Sequence, residues 1–179
     1  MSKTLADIDS PKEMKMKDSK ALLLEYLASV RDPERAASLF AEDGAFELPF
    51  LRSLGVAPRH TGRREIVGLL NQLLKLYPNF SFGPDDTRVL IETPEKTFAE
   101  YVGHGRAAAT GRTLHQLFTG YLVAEAGEIK LLRESFNPLA MAPATRCTLS
   151  DRVRGLQLNA RTAAAVCISP LRRSRSRRA

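Results

Sequence analysis

One carboxylate in the last predicted strand has surroundings that suit proton-transfer chemistry. The last predicted strand alternates between two faces, and Glu134 lies on one of them between Leu132 and Phe136. A carboxylate among apolar side chains either forms an ion pair or has a raised pKa, and a raised pKa makes it a candidate acid or base. Two interpretations stay open. Glu134 is either a catalytic group or the partner of Arg106 or Arg112 in a structural salt bridge.

Three polar residues on the two preceding strands are candidates to complete a site with Glu134. Glu100 and His104 share one strand face, and they join Glu134 if that face points inward; otherwise Glu100 belongs to a surface pair. His104 has a pKa range suited to proton transfer, and the glycines on either side of it indicate a bulge or a close approach of the backbone. Gln116, close to Phe118 on the next strand, is the expected hydrogen-bond donor to a ligand.

Several classes of chemistry have no support in the sequence. The three His residues are isolated, the two Cys residues lie near the end of the chain, and neither set has metal-ligand spacing. The sequence contains no phosphate-binding loop, no dinucleotide fingerprint and no nucleophile elbow. We therefore expect no metal and no cofactor. An enzyme of this kind would carry out acid/base reactions such as isomerisation, cyclisation, dehydration or condensation.

The formal net charge of +7 is concentrated at one end of the chain. Residues 145–179 contain nine Arg and one Asp, so the remainder is close to neutral. We interpret this segment as a disordered tail and residues 1–17 as a flexible arm, on either side of one domain formed by residues 18–144. Nucleic-acid binding would depend on the tail alone. The sequence has no apolar stretch of membrane-spanning length and no signal peptide, so we expect a cytoplasmic protein.

Helical periodicity predicts three helices in the first half of the domain. The first begins at an N-cap formed by Asp18 or Ser19. The second begins after Asp32, with Pro33 in its first position, as is common at helix starts. The third is predicted to begin at Thr61, and its apolar stripe is formed by Ile66, Leu69, Leu70, Leu73 and Leu76.

A period of two predicts five strands, four of them after the third helix. The first strand follows a turn at Asp43-Gly44 and runs to Phe50, and residues 51–61 are predicted to form a loop. In the second half, turns are expected at residues 83–86, 94–96 and 110–111, and a two-residue hairpin turn at Ala126-Gly127. Helices that segregate from a strongly curved antiparallel sheet indicate an α+β fold.

Three segments, LFAEDGAFELP, TGRREIVGLL and GEIKLLRESFNP, resemble the SnoaL-like branch of the nuclear transport factor 2-like superfamily, over about residues 18–144. The branch has a recurrent motif G-x-I-x-x-x-R-E-x-x-x-P. It is matched here by Gly127, Ile129, Arg133, Glu134 and Pro138. Phenazine-biosynthesis A/B proteins are the most similar in motif, since they also have a GHG triplet, here residues 103–105, and the Arg-Glu pair on the last strand.

The resemblance implies a cone, in which a curved sheet and the three helices enclose one apolar pocket. Glu134 takes the place of the family's pocket acid. Two other ionisable positions of the family are Leu69 and Asn137 here, which departs from the pattern. Family members commonly dimerise through the outer face of the sheet, so a homodimer is implied. Side chains expected to line the pocket are Tyr26, Phe50, Leu69, Leu73, Glu100, Gln116, Phe118 and Phe136.

Two functions follow from these expectations. The first is acid/base chemistry on a small apolar or aromatic cyclic metabolite, with Glu134 as acid or base and with Gln116 and His104 as polarising partners. The alternative is a non-catalytic ligand-binding or dimerisation module of the same fold, which the residues at positions 69 and 137 favour.

Overall fold

The computed structural model describes residues 16–54 and 57–141. The predicted Arg-rich tail and nearly all of the predicted N-terminal arm lie outside these residues. The described part is an α+β fold with a curved six-stranded sheet, which confirms the predicted fold class. Within it, no helix is both long and apolar enough to cross a membrane.

Two of the predicted helix starts are confirmed in detail. Helix α1 (Ser19–Ser29) begins after Asp18, whose side chain accepts a hydrogen bond of 2.8 Å from the Ala21 amide. Helix α2 (Pro33–Ser38) begins after Asp32, whose carboxylate accepts a hydrogen bond of 3.1 Å from the Arg35 amide. Each carboxylate satisfies an amide that has no partner inside its own helix.

The predicted start of the third helix is wrong by one residue. Helix α3 (Arg63–Leu76) has Gly62 as its N-cap, with a positive φ of +80°. Thr61 belongs instead to a short strand, and its amide donates to the Glu65 carboxylate at 2.8 Å. The last helix of the described residues, α4 (Pro138–Met141), follows the sheet.

The sheet consists of β1 (Phe40–Glu47), β2 (Arg59–Thr61), β3 (Ser81–Glu92), β4 (Lys96–Arg106), β5 (Thr113–Glu125) and β6 (Glu128–Phe136). The strand order is β2-β1-β6-β5-β4-β3. The pairs are antiparallel except that β1 runs parallel to β6. The parallel pair places the end of β1 beside the end of β6, where Glu134 lies.

The first predicted strand differs from the structure at both ends. The expected turn at Asp43-Gly44 is an irregularity inside β1, where the ladder to β6 shifts register. A Cβ at Gly44 would lie 2.6 Å from the carbonyl oxygen of Ile129, so the irregularity brings two backbones together. At the other end, Phe50 is not in the strand. Pro49 lacks the amide that a strand ladder needs, and a 3-10 helix (Pro49–Leu54) begins there.

Two other loop predictions are also wrong. The predicted loop at residues 51–61 contains β2, which pairs with β1. The predicted turn at residues 83–86 lies within β3, where the pairing with β4 shifts register between Phe82 and Thr87. The hairpin turn is confirmed, because Ala126 and Gly127 both have positive φ, at 50° and 79°.

The two faces of the sheet differ in burial. On β4 and β5, buried residues alternate with half-exposed or exposed ones. Helix α1 packs against strands β3 to β6, and its buried apolar residues belong to the core together with the buried face of the sheet. We call this buried face the inner face and the opposite one the outer face. Each candidate side chain on a strand is therefore assigned to one of these faces by the phase of its strand.

Candidate functional site

Glu134 is buried on the inner face of β6 and is paired with a phenol. Its side chain is 4% exposed, and Oε1 accepts a hydrogen bond of 2.7 Å from Oη of Tyr101. Among the described residues no ion pair involves Glu134. The alternative interpretation, a salt bridge to Arg106 or Arg112, is wrong, since both arginines are exposed and Arg106 donates instead to the Gly111 carbonyl.

Burial controls the ionisation of this carboxyl. Removal from water raises the pKa of Glu134 to about 7, and the hydrogen bond from Tyr101 partly opposes that rise. Burial also raises the pKa of Tyr101 well above its usual range, and the charge of Glu134 raises it further. Near neutral pH, Glu134 can therefore hold or release a proton while Tyr101 remains a hydrogen-bond donor.

A second phenol, that of Tyr26, comes from α1. It is buried, and after burial itself the charge of Glu134 is the cause that raises its pKa well above the usual range. Its ring makes edge-to-face contacts with Phe40 at 6.0 Å and with Phe46 at 5.9 Å between centroids. Tyr26 was predicted to be a cavity wall, and the structure places it in the interior.

Aromatic rings connect the Tyr101–Glu134 pair to the end of β6. The ring of Tyr101 stacks parallel to that of Phe118 at 6.1 Å and meets Phe82 edge-on at 5.0 Å. Phe118 in turn contacts Phe136 at 4.9 Å. Phe118 and Phe136 therefore share the inner face with Glu134, as predicted.

A depression of about 400 Å³ opens at the end of this aromatic series. It is lined by Phe50, Thr119, Ser135, Phe136, Asn137 and Pro138. Phe136 lines the depression and also contacts Phe118, whereas Thr119 and Ser135 belong by strand phase to the outer face. Phe50 reaches the depression from the 3-10 helix and is 53% exposed.

The structure does not bring Glu100 and His104 to Glu134, so that expectation is wrong. The inner face of β4 is formed by Thr97, Ala99, Tyr101, Gly103 and Gly105. Glu100 and His104 lie on the outer face, where His104 Nε2 is 2.8 Å from an Asp86 carboxylate oxygen and its ring is 4.9 Å from that of His115.

The glycines on either side of His104 have a packing role on the inner face. A Cβ at Gly103 would lie 2.7 Å from Cε2 of Phe118 and 2.9 Å from Cζ of Phe80. The GHG triplet thus marks a close approach of aromatic rings to the backbone, one of the two readings of that triplet.

Gln116 points inward as predicted but lies away from Glu134. It is 6% exposed, and its amide nitrogen donates to the Leu117 carbonyl at 2.6 Å. The residue opposite Glu134 on β5 is Gly120, four positions further along, which corresponds to about 13 Å of strand. On α3, Leu69 and Leu73 are half-buried and pack against the core.

Two residues of this site escaped the sequence analysis, Tyr101 and Gly120. Tyr101 belongs to the segment TFAEYV, in which the neighbouring Glu100 was the residue predicted to join the site. The small residues Ala99, Gly103 and Gly105, at two-residue intervals around Tyr101, were the available signal that this face is the crowded one.

Comparison with known proteins gives one family and many similar folds. A family model described as the SnoaL-like domain matches residues 24–131. A phenazine biosynthesis-related protein from Pseudomonas aeruginosa is 22% identical, with a TM-score of 0.59 over 70% of this chain and 83% of that chain. No curated protein sequence matches significantly.

Two further solved structures have the same fold. A Xanthomonas campestris protein provisionally named a polyketide cyclase is 21% identical, with a TM-score of 0.59 over 70% of this chain and 95% of that one. A Catenulispora acidiphila protein with a ketosteroid isomerase-like fold is 16% identical, with a TM-score of 0.61 over 72% and 95%. At such identities the likeness establishes the fold alone.

Proposed function

This chain belongs to the SnoaL-like domain family, and from that premise we propose that Glu134 is the acid or base of a cofactor-independent reaction on a small, apolar, cyclic metabolite. The observation that carries the proposal is the buried carboxyl of Glu134, which has a phenol as its partner and a pKa of about 7. A general acid or base works best when its pKa lies near the operating pH.

The reaction class follows from the groups at the site. In an isomerisation or cyclisation, the Glu134 carboxylate would take a proton from a carbon next to a carbonyl and return it to another atom of the same molecule. Tyr101 donates to the carboxylate, and its own high pKa keeps its proton in place. The apolar surroundings would exclude water from the anion that forms.

The depression at the end of β6 is the proposed entrance. Phe50, Phe136 and Pro138 offer apolar surface to a ring, while Thr119, Ser135 and Asn137 offer hydroxyl and amide groups to its polar edge. Phe136 lines this space and contacts Phe118, which stacks on Tyr101. A planar ligand that displaces Phe136 would therefore reach Phe118 and approach the acid.

A thermal-shift panel tests the pocket directly. We expect 1-naphthol, 2-naphthol or 1,4-naphthoquinone to stabilise the wild type, because a ligand at a hundred times its Kd adds about 2.7 kcal/mol. Glu134→Gln should change the order of preference among the probes. Glu100→Gln is the matched control, since the same change on the outer face should leave that order unaltered. The proposal fails if no probe stabilises either protein or if both variants keep the wild-type order.

A non-catalytic binding module is the second candidate. It is favoured by Leu69 and Asn137, which stand where the resemblance implies ionisable groups, and by the enclosure of Glu134. This candidate predicts binding in the panel above without turnover of any probe or related compound.

We also propose a cytoplasmic homodimer that associates through the outer face of the sheet. Leu117 on β5 is 52% exposed there, and the half-exposed Phe98 and Val102 lie on the same face of β4. Leu117→Lys is expected to shift the mass measured by analytical ultracentrifugation from dimer to monomer, because it places a charge in an apolar contact. A monomeric wild type, or a dimer unaffected by Leu117→Lys, contradicts this interface.

A further inference from the structure

Glu134 lies in a row of unusually small residues on the inner face. Ala99 of β4 pairs with Gly120 of β5, and Gly120 pairs with Glu134 of β6. The next row along the same face holds three rings, those of Tyr101, Phe118 and Phe136, which pair in the same way. The acid and the phenol that binds it therefore belong to adjacent rows and to strands separated by β5.

The Tyr101 hydroxyl reaches Glu134 through the space above Gly120. A Cβ added at Gly120 would lie 2.2 Å from Oη of Tyr101, 2.8 Å from Cε1 and 2.9 Å from Cζ. The phenol thus occupies the volume that any side chain at position 120 would need. The ring passes over β5 because that strand presents only backbone at this point.

Backbone conformation does not require a glycine here. Among the described residues, the glycines with positive φ are Gly62, Gly111 and Gly127, and Gly120 is not one of them. A glycine inside a strand weakens it, because it leaves nothing to pack and loses more backbone freedom on folding. Space for Tyr101 is the remaining physical reason for a glycine at this position.

We propose that Gly120 is a positioning residue, whose missing side chain allows the Tyr101 hydroxyl to bind Glu134 and so sets the ionisation of the site acid. The proposal rests on the proposed function only in taking Glu134 as that acid. The described groups that face Glu134 are the phenols of Tyr101 from β4 and Tyr26 from α1, and no described ion pair includes it. Among the described residues, no ion pair would therefore replace a lost Tyr101 hydrogen bond to Glu134.

Titration of Glu134 by carbon NMR of glutamate-labelled protein tests this without any substrate. The Glu134 signal is assigned by its loss in Glu134→Gln. Because the Tyr101 hydrogen bond favours the carboxylate, its loss raises the titration midpoint. We expect Gly120→Ala to shift the midpoint upward, as far as Tyr101→Phe does. A midpoint that stays at the wild-type value in Gly120→Ala while it rises in Tyr101→Phe overturns the proposal.

Two other glycines provide controls. Gly103→Ala crowds the same face, but the nearest atoms belong to Phe118 and Phe80, so the Glu134 midpoint should stay near the wild-type value. Gly68→Ala on α3 meets nothing within 4 Å and should leave both the midpoint and the packing unchanged. If Gly103→Ala shifts the midpoint as much as Gly120→Ala, general crowding explains the effect and the proposal is overturned.

A double-mutant cycle keeps the proposal testable if Gly120→Ala folds poorly. Tyr101→Phe removes the atom that the new methyl would meet at 2.2 Å and leaves the contacts at 2.8 and 2.9 Å. Gly120→Ala should therefore cost less unfolding free energy in the Tyr101→Phe background than in the wild type. An equal or larger cost in that background would refute the assignment. Neither readout involves turnover, so an inactive site and a wrong role for Gly120 are distinguishable.

Discussion

Glu134→Gln is expected to stabilise the protein at alkaline pH by roughly 3 kcal/mol, an order-of-magnitude figure from the rise of the Glu134 pKa from 4.5 to about 7. The folded state holds the Glu134 proton more tightly than the unfolded state does. Glu134 therefore costs no stability below pH 4.5, and its cost grows as the pH rises to 7 and stays constant above. Glutamine is neutral at every pH and still accepts from Tyr101.

Urea unfolding of both proteins between pH 4 and pH 9 measures this difference. The gain in unfolding free energy should be near zero at pH 4, increase between pH 4.5 and 7, and level off above pH 7. Other ionisable groups cancel because the two proteins share them. Glu100→Gln on the outer face should give a flat difference. A glutamine variant that is less stable than wild type at every pH would show that Glu134 is a structural partner.

Glu134 lowers stability at neutral pH, so its presence is not explained by a contribution to the stability of the fold. The described surroundings of Glu134 contain phenols and aromatic rings, and the carboxyl has no cationic partner among the described ion pairs. Groups whose pKa is strongly shifted by burial concentrate at functional sites. Glu134→Gln removes this buried ionisable group, so we expect it both to raise stability and to lower activity.

The face of Glu134 could be predicted from the sequence because alternation places Leu132, Glu134 and Phe136 together. The hairpin turn alone does not fix this face, since the ladder between β5 and β6 shifts register between Val123 and Ala124, shortly before the turn. If Leu132 and Phe136 are buried, the Glu134 carboxyl between them is expected to be buried as well. Its partner could not be predicted in the same way, because Tyr101 is distant in sequence and reaches Glu134 diagonally across β5.

The phase of β4 was misread because both of its faces carry apolar residues. Phe98 and Val102 lie on the half-exposed outer face, and Ala99 and Tyr101 on the inner face, so hydrophobicity alone does not distinguish them. The two faces of β4 differ instead in the volume available to a side chain. Gly103 is on the inner face because the rings of Phe118 and Phe80 press against it, which is a property of packing between distant strands.

The position of Phe50 is decided by the residue before it. Pro49 has no backbone amide to donate to a strand ladder, so the strand ends before it and the chain turns into a 3-10 helix. As a result, Phe50 lies across from the end of β6 and lines the depression with Phe136. The parallel pairing of β1 with β6, which creates this arrangement, has no local signal in the sequence.

If the site is catalytic, Glu134→Gln should lower kcat/KM by about 10²- to 10⁴-fold, the usual contribution of a general acid or base. The measurement uses steady-state kinetics on compounds related to the probes that bind. The pH profile of the wild type then assigns the role of Glu134. If kcat/KM rises up to a pH of about 7 and then levels off, Glu134 acts as a base; if it falls above that pH, Glu134 acts as an acid.

Tyr101→Phe tests whether the pH profile follows the ionisation of Glu134. Since the Tyr101 hydrogen bond lowers the pKa of Glu134, its removal should move the same limb of the profile to higher pH while leaving its direction unchanged. Glu100→Gln and His104→Asn, both on the outer face, should keep the wild-type profile. If His104→Asn abolishes turnover and Glu134→Gln does not, the chemistry takes place on the other face of the sheet. If probes bind and none is turned over, the binding module is the better description, and the raised pKa of Glu134 serves recognition of the ligand.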